Sequence, residues 1–289
     1  MAKPVIAIMY DFDKTLCTSD MQNFGFVEDL EMTPAEFWST VAEYNSQTKS
    51  DKVLAYMYMM LKIAKEKGLK FTKEYLKEKG KSVVLYKGVE SWFKRINQFG
   101  DDMGVRVEHY IISSGIKEMI EGSSIAKEFK KIFACEYVYG DNQEAIWPKT
   151  AINFTNKTQY IFRISKGTLD ETDEVTLNQA IPDGQRKVQY NNMIYIGDGM
   201  TDIPCMKLVK EKGGKSIALY QKNQEDKVLP LVSDDRINYV CVADYSENSN
   251  LDKIIKMMIE NMALIHKLKE KEQRTLGNFV LKTNKKADE

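Results

Sequence analysis

An apolar run, Val5-Ile6-Ala7-Ile8-Met9-Tyr10, gives way at once to Asp11-Phe12-Asp13-Lys14-Thr15. In an extended chain, residues i and i+2 project to the same side, so Asp11 and Asp13 are predicted to face one ligand. A second acidic cluster, Gly197-Asp198-Gly199-Met200-Thr201-Asp202, follows another apolar run at Met193–Ile196. If the two meet, four carboxylates crowd together, and like charges ~4 Å apart repel by about 4 kcal/mol at an effective dielectric near 20. Such a group needs a cation or a bound proton. Oxygen donors without histidine or cysteine select Mg²⁺, which keeps several waters and binds phosphate oxygens.

An anion would need further partners. Tyr110-Ile111-Ile112-Ser113-Ser114-Gly115 ends an apolar run in two hydroxyls and a turn. The Ser113 hydroxyl and the backbone N–H groups of Ser114 and Gly115 are a candidate phosphate cradle. Lys157, just before a helical stretch at Tyr160–Ile164, is the candidate cation, with Lys149 and Lys166 as competitors. Each feature alone has a plainer reading: a polar strand exit, a serine-rich turn, one lysine among many. His109 and His266 read as packing or surface residues, and Met57, Met59, Met60 and Cys17 as apolar filling.

These residues need elements to hold them. Short, nearly continuous apolar runs at Val5–Tyr10, Val107–Ile112, Met193–Ile196, Ile217–Tyr220 and Tyr239–Val242 read as strands buried on both faces. Helical patterns at Val89–Phe99, Ile116–Phe129 and Thr201–Lys212 separate them, which predicts parallel pairing in an α/β sheet covered on both sides. In such a sheet, ligands bind beyond the carboxyl ends of the strands, where both acidic clusters fall. Residues 18–87 break the alternation and read as a helical insert. Thr33-Pro34-Ala35-Glu36 carries a helix start signal, Val53–Ala64 a dense apolar face, and Thr72 opens a further helix ending near Gly80. Between Cys135 and Phe154, Gly140-Asp141-Asn142 predicts a β-hairpin, and one long helix is expected from Asn250 to about Arg274.

Composition narrows the class of function. In 289 residues, 43% are hydrophobic and 29% charged, and 42 basic residues balance 42 acidic ones. The balance gives no bulk attraction to nucleic acid or to an anionic membrane, so neither is an expected partner. No apolar stretch approaches the ~20 residues of a spanning helix. Four separated cysteines and two histidines disfavour a zinc site or a disulfide framework. A cytoplasmic protein with reduced thiols is expected.

Taken in order, Asp11-x-Asp13-x-Thr15 after the first strand, Ser113 at a strand end, Lys157, and Gly197-Asp198-Gly199-x-x-Asp202 resemble the four-motif signature of the haloacid dehalogenase (HAD) superfamily. The resemblance runs from about Val5 to Val242, and the insert resembles the C1-type cap of its phosphoserine phosphatase-like branch. It implies a Rossmann-like core domain, residues 1–17 and 88–289, with a helical cap domain, residues 18–87. It further implies Asp11 as nucleophile and Asp13 as general acid/base. Mg²⁺ would lie on Asp11, the Asp13 main chain, Asp198 and Asp202, and phosphate on Ser113, Ser114, Gly115 and Lys157. The expected function is hydrolysis of a small phosphorylated metabolite through an aspartyl-phosphate, with transfer to another acceptor, or a non-catalytic binding role, as alternatives. Asp13 favours phosphoryl transfer over dehalogenation, because halide departure needs no general acid. No arginine precedes Arg95, which places phosphoserine in doubt, since lysine reproduces a bidentate carboxylate pair poorly.

Overall fold

Strand β1 (Val5–Tyr10) is buried along its whole length, as its unbroken apolar sequence requires. The computed structural model, which describes residues 3–287, places it at the centre of a seven-stranded sheet. The others are β2 (Arg106–Ile116), β3 (Lys131–Tyr139), β4 (Ala145–Thr150), β5 (Met193–Gly197), β6 (Lys215–Tyr220) and β7 (Tyr239–Val242). The spatial order is β4-β3-β2-β1-β5-β6-β7, and every pair is parallel except β3 with β4. The chain thus winds outward through β2 and β3, then returns to the other side of β1 with β5. That reversal is the topological switch point at which open α/β sheets form their crevice.

Between β1 and β2 lie α1 (Phe26–Asp29), α2 (Pro34–Thr48), α3 (Lys52–Glu66) and α4 (Lys73–Gly80). The predicted start of α2 is a capping box: Glu36 N–H donates to Thr33 Oγ1 at 3.3 Å, and Thr33 N–H donates back to Glu36 Oε2 at 2.7 Å. Without the reciprocal bond, Asp51 caps α3 by accepting Val53 and Leu54 N–H, and Thr72 caps α4 by accepting Tyr75 N–H. The apolar faces of these helices close on Phe26, Phe37 and Phe71, whose rings meet at centroid distances of 5.7 to 6.0 Å. The insert is tied to the sheet by Tyr137 Oη, which donates to Met57 O at 2.8 Å, and by Tyr56 Oη, which donates to Ser114 O.

The sheet is covered by α5 (Val89–Met103), α6 (Lys117–Gly122), α7 (Thr158–Lys166), α9 (Ile203–Glu211) and α11 (Asn250–Ala287), with the short α8 (Glu174–Asn178) and α10 (Leu229–Ser233) lying between them in the chain. Three expectations are corrected. The helix predicted over Ile116–Phe129 ends at Gly122, where Ser123 turns extended; only a 3₁₀ turn at Ala126–Glu128 follows. The predicted hairpin is present as β3–β4, but β3 begins earlier, at Lys131, and pairs parallel with β2. Its apolar segment Ile132-Phe133-Ala134-Cys135 is too short to announce itself between Lys131 and Glu136. The last helix continues well beyond Arg274, because no proline interrupts it and a single glycine, Gly277, weakens it by only about 1 kcal/mol.

Beneath the centre of the sheet a polar chain is fully accounted for. Trp92 Nε1–H donates to Tyr10 Oη at 2.9 Å, Tyr10 Oη lies 3.0 Å from His109 Nδ1, and His109 Nε2 lies 3.0 Å from Asn97 Oδ1. A neutral ring with its proton on Nε2 satisfies every member. Burial pulls the His109 pKa down to about 3, which keeps the ring neutral. His109 is therefore a core histidine. Among the described residues, no helix is long and apolar enough to cross a membrane.

Candidate active site

β2, β1 and β5 are neighbours, so the residues that follow them converge at one edge. Asp11 leaves β1 with its N–H donated to Ile196 O at 3.0 Å, which fixes it beside β5. Phe12 turns into the core, while Asp11 and Asp13 both line a cavity of about 920 Å³. Carboxylate oxygens of Asp11, Asp198 and Asp202 lie within 4.8 Å of one another. The Asp13 carboxyl lies outside this triad and accepts Met21 N–H at 2.9 Å.

Lys157 stands at the start of α7 and is wholly buried. Its Nζ lies 2.8 Å from Asp202 Oδ1 and 3.1 Å from Asp11 Oδ1. Burial works against the ammonium, yet Asp11 and Asp202 outweigh it and hold the Lys157 pKa above its usual value. The two competing lysines lie elsewhere: Lys149 pairs with Glu136 at 3.1 Å, and Lys166 donates to the carbonyls of Leu177 and Gln179. Asp202 also accepts Tyr195 Oη–H at 2.7 Å. Tyr195 belongs to β5, and its apolar strand context gives no hint of this role.

Two glycines are there because neighbouring atoms leave no room. A Cβ on Gly197 would stand 2.4 Å from Asp202 Oδ2, so only glycine lets that carboxylate fold back over β5. A Cβ on Gly115 would stand 2.1 Å from Met21 Cε and 3.1 Å from Asp13 Oδ2. Ser113–Gly115 fall where β2 leaves register with β3, between Ile112 and Ile116. Gly115 departs from the cradle expected of it: its N–H is already donated to Ser113 Oγ at 3.0 Å. Ser113 keeps its hydroxyl proton available, and the buried Ser114 Oγ, also at the cavity wall, accepts and donates nothing.

Protonation follows from this crowding. Burial, then the charges of Asp202 and Asp11, push Asp198 up to about 8. Burial raises Asp11 to about 6, the nearby Lys157 limiting the rise. Asp13 is held well above the ordinary carboxylate range by burial, by Asp20 and by Asp11. The arrangement therefore offers an ionisable carboxylate, a carboxyl with a raised pKa and free hydroxyls around one space, with a fixed ammonium buried against Asp11.

No family model matches the chain. An uncharacterised protein of Borreliella burgdorferi is 24% identical over 274 residues, covering 86% of this chain and 94% of its own. Among solved structures, a HAD family hydrolase of Salmonella enterica serovar Typhi superposes with a TM-score of 0.56 at 17% identity, over 89% of this chain and 72% of that one. A substrate-bound phosphoserine phosphatase gives 0.53 at 14% identity, over 88% and 99%. A phosphoserine phosphohydrolase-like protein of Francisella tularensis gives 0.51 at 20%, over 83% and 95%. With its parallel sheet, its helical insert and its acidic rim between β1 and β5, the chain has the fold of HAD hydrolases of the phosphoserine phosphatase type.

Proposed function

We propose that the protein is a Mg²⁺-dependent phosphatase that hydrolyses a small phosphomonoester through an aspartyl-phosphate on Asp11. One observation carries this reading: Lys157, from a distant segment, lies buried between Asp11 and Asp202 at the rim shared by β1 and β5. A fold needing only stability gains little from burying one ammonium against two carboxylates with a third close by.

The donor set suits a hard divalent cation, being all carboxylate oxygen and free of nitrogen or sulfur. Asp11 and Asp198 would hold the ion, with the Asp13 main chain, and Asp202 would order the surrounding shell while engaged with Lys157 and Tyr195. When bound, the ion supplies charge neutralisation for the carboxylates and the phosphoryl oxygens.

The protein groups divide the remaining work. With its pKa near 6, Asp11 is mostly ionised at pH 7 and attacks phosphorus in line, forming the Asp11 Oδ–P bond as the ester P–O bond breaks. Asp13 retains a proton and gives it to the departing alkoxide oxygen. Water then attacks phosphorus, Asp13 takes its proton, and the Oδ–P bond breaks to release phosphate and restore both aspartates. Ser113, Ser114 and Lys157 stabilise the equatorial phosphoryl oxygens, where charge builds. Residues 18–87 act as the cap, contributing Trp38, Val41 and Tyr56 to the cavity wall.

The test is turnover of p-nitrophenyl phosphate. Activity should require Mg²⁺, disappear with chelation, and fall at least about a thousandfold in Asp11→Asn. Beryllium trifluoride with Mg²⁺ should form its adduct on Asp11. Metal-independent turnover, or an adduct on another residue, overturns the assignment.

A further inference from the structure

Resting on the phosphatase reading, the cap side of the cavity carries information about the leaving group. Its charged residues are nearly all engaged. Asp20 takes the Lys14 ammonium at 2.7 Å, and Asp51 accepts Val53 N–H, Leu54 N–H and Asn153 Nδ2–H at 2.9 to 3.1 Å. Lys52, the remaining cation of the wall among the described residues, is exposed to solvent and lies directly beside Asp51 in the chain. A leaving group bearing a carboxylate would meet Asp13, Asp20 and Asp51 with no free buried cation to answer it. A cationic one would meet Asp20 and Asp51, whose oxygens are already shared.

One buried polar group on the cap side of the wall is unanswered among the described residues, and it is neutral. Gln22 belongs to the 3₁₀ turn Met21–Asn23, whose first residue donates its N–H to Asp13. The side chain is 2% exposed and lines the cavity; its Oε1 has no hydrogen-bond partner and its Nε2 makes no bond either. A buried amide oxygen left without a partner costs roughly 1–3 kcal/mol, and apolar residues of similar size avoid that loss. A side chain held this way beside the general acid suits a ligand that supplies the missing partners. The amide both donates and accepts, which matches a hydroxyl.

We infer that Gln22 is a substrate-binding residue and that the leaving group is uncharged and hydroxyl-bearing, as in a polyol or sugar phosphomonoester. The Gln22 amide bonds a hydroxyl near the ester oxygen, and the apolar wall of Trp38, Val41 and Tyr56 receives the carbon skeleton.

The experiment compares glycerol 1-phosphate with n-propyl phosphate, esters of similar size that differ in hydroxyl groups. The intact protein with Mg²⁺ should favour the glycerol ester by about tenfold or more in kcat/KM, and Gln22→Met should bring the ratio near one. Because the change removes an unsatisfied buried amide, the melting temperature of Gln22→Met should match or exceed the original. Equal kcat/KM values for the two esters, a ratio retained in Gln22→Met, or a lowered melting temperature would each overturn the inference while leaving the phosphatase reading intact. Failure to hydrolyse either ester, with p-nitrophenyl phosphate also untouched, overturns both.

Discussion

The helical insert and the rim of the sheet are built to opposite standards. In the insert, α2, α3 and α4 each begin with a side chain that answers the free N–H groups of the first turn, and their apolar faces close on packed aromatic rings. At the rim, two of three crowded carboxylates share one buried ammonium, a serine hydroxyl lacks a partner, and carboxyl groups are forced up in pKa by burial and by their neighbours. Local propensity and packing agree throughout the insert. They conflict at the rim, as expected where residues are kept for chemistry and the rest of the fold supplies the stability. Gln22 lies where the two regions meet: it belongs to the insert in sequence, yet shares the unsatisfied character of the rim.

The comparison can be broken first at Lys157. Lys157→Met leaves the wholly buried Asp202 and its neighbours uncompensated. It should lower unfolding stability by about 3–5 kcal/mol in chelator, read by urea denaturation. A variant as stable as the parent would mean the rim is not held by this ammonium.

A smaller and pH-dependent effect separates the rim from the core histidine. His109 has a folded pKa near 3, below its ordinary 6.5, so the unfolded chain binds the proton more readily. Stability from this group is therefore complete above about pH 6.5 and falls toward pH 3, by up to about 1.4 kcal/mol per pH unit. Asp11 and Asp198 act with opposite sign. Their folded pKa values, about 6 and 8, exceed the usual carboxylate value, so without metal their stabilisation is full at low pH and is lost as pH rises through those values. Subtracting the urea-melt profile of His109→Gln from that of the parent, both in chelator, isolates the histidine. A flat difference curve between pH 4 and 6.5 would show that His109 is charged in the fold.

The smallest effect belongs to the insert alone. Thr33→Ala removes the capping box of α2 and should cost about 1 kcal/mol of stability, with kcat toward p-nitrophenyl phosphate unchanged. A fall in kcat of tenfold would mean that the position of α2 is coupled to the rim.

Much of this molecule is written in short-range pattern. Unbroken apolar runs mark β1, β5 and β6 because strands buried on both faces admit little else, whereas β7, expected to be buried likewise, is an edge strand with Tyr239 and Val242 exposed; Thr33–Glu36, Asp51 and Thr72 set helix starts through contacts within a few residues. Asp11, Asp13, Ser113 and Asp198 can be picked out because each follows an apolar run at a strand end. Other features are invisible at that range. The parallel start of β3 depends on β2, and the Tyr195–Asp202 bond on a fold-back over Gly197. Lys157, Lys149 and Lys166 are equivalent as residue types; a position just before a helix favours Lys157, and the packing of α7 against the rim brings its ammonium to Asp11 and Asp202.

The sequence by itself determined the alternation of strands and helices, the helical insert and the two acidic turns, since these arise from side-chain periodicity and local hydrogen bonding. The tertiary structure alone decided which lysine meets the acids, that the Gly115 N–H is already taken, and that the Gln22 amide is stranded at the cavity wall. Those facts depend on distances between segments far apart in the chain, and burial gives them their energetic weight by removing the water that would otherwise satisfy any polar group.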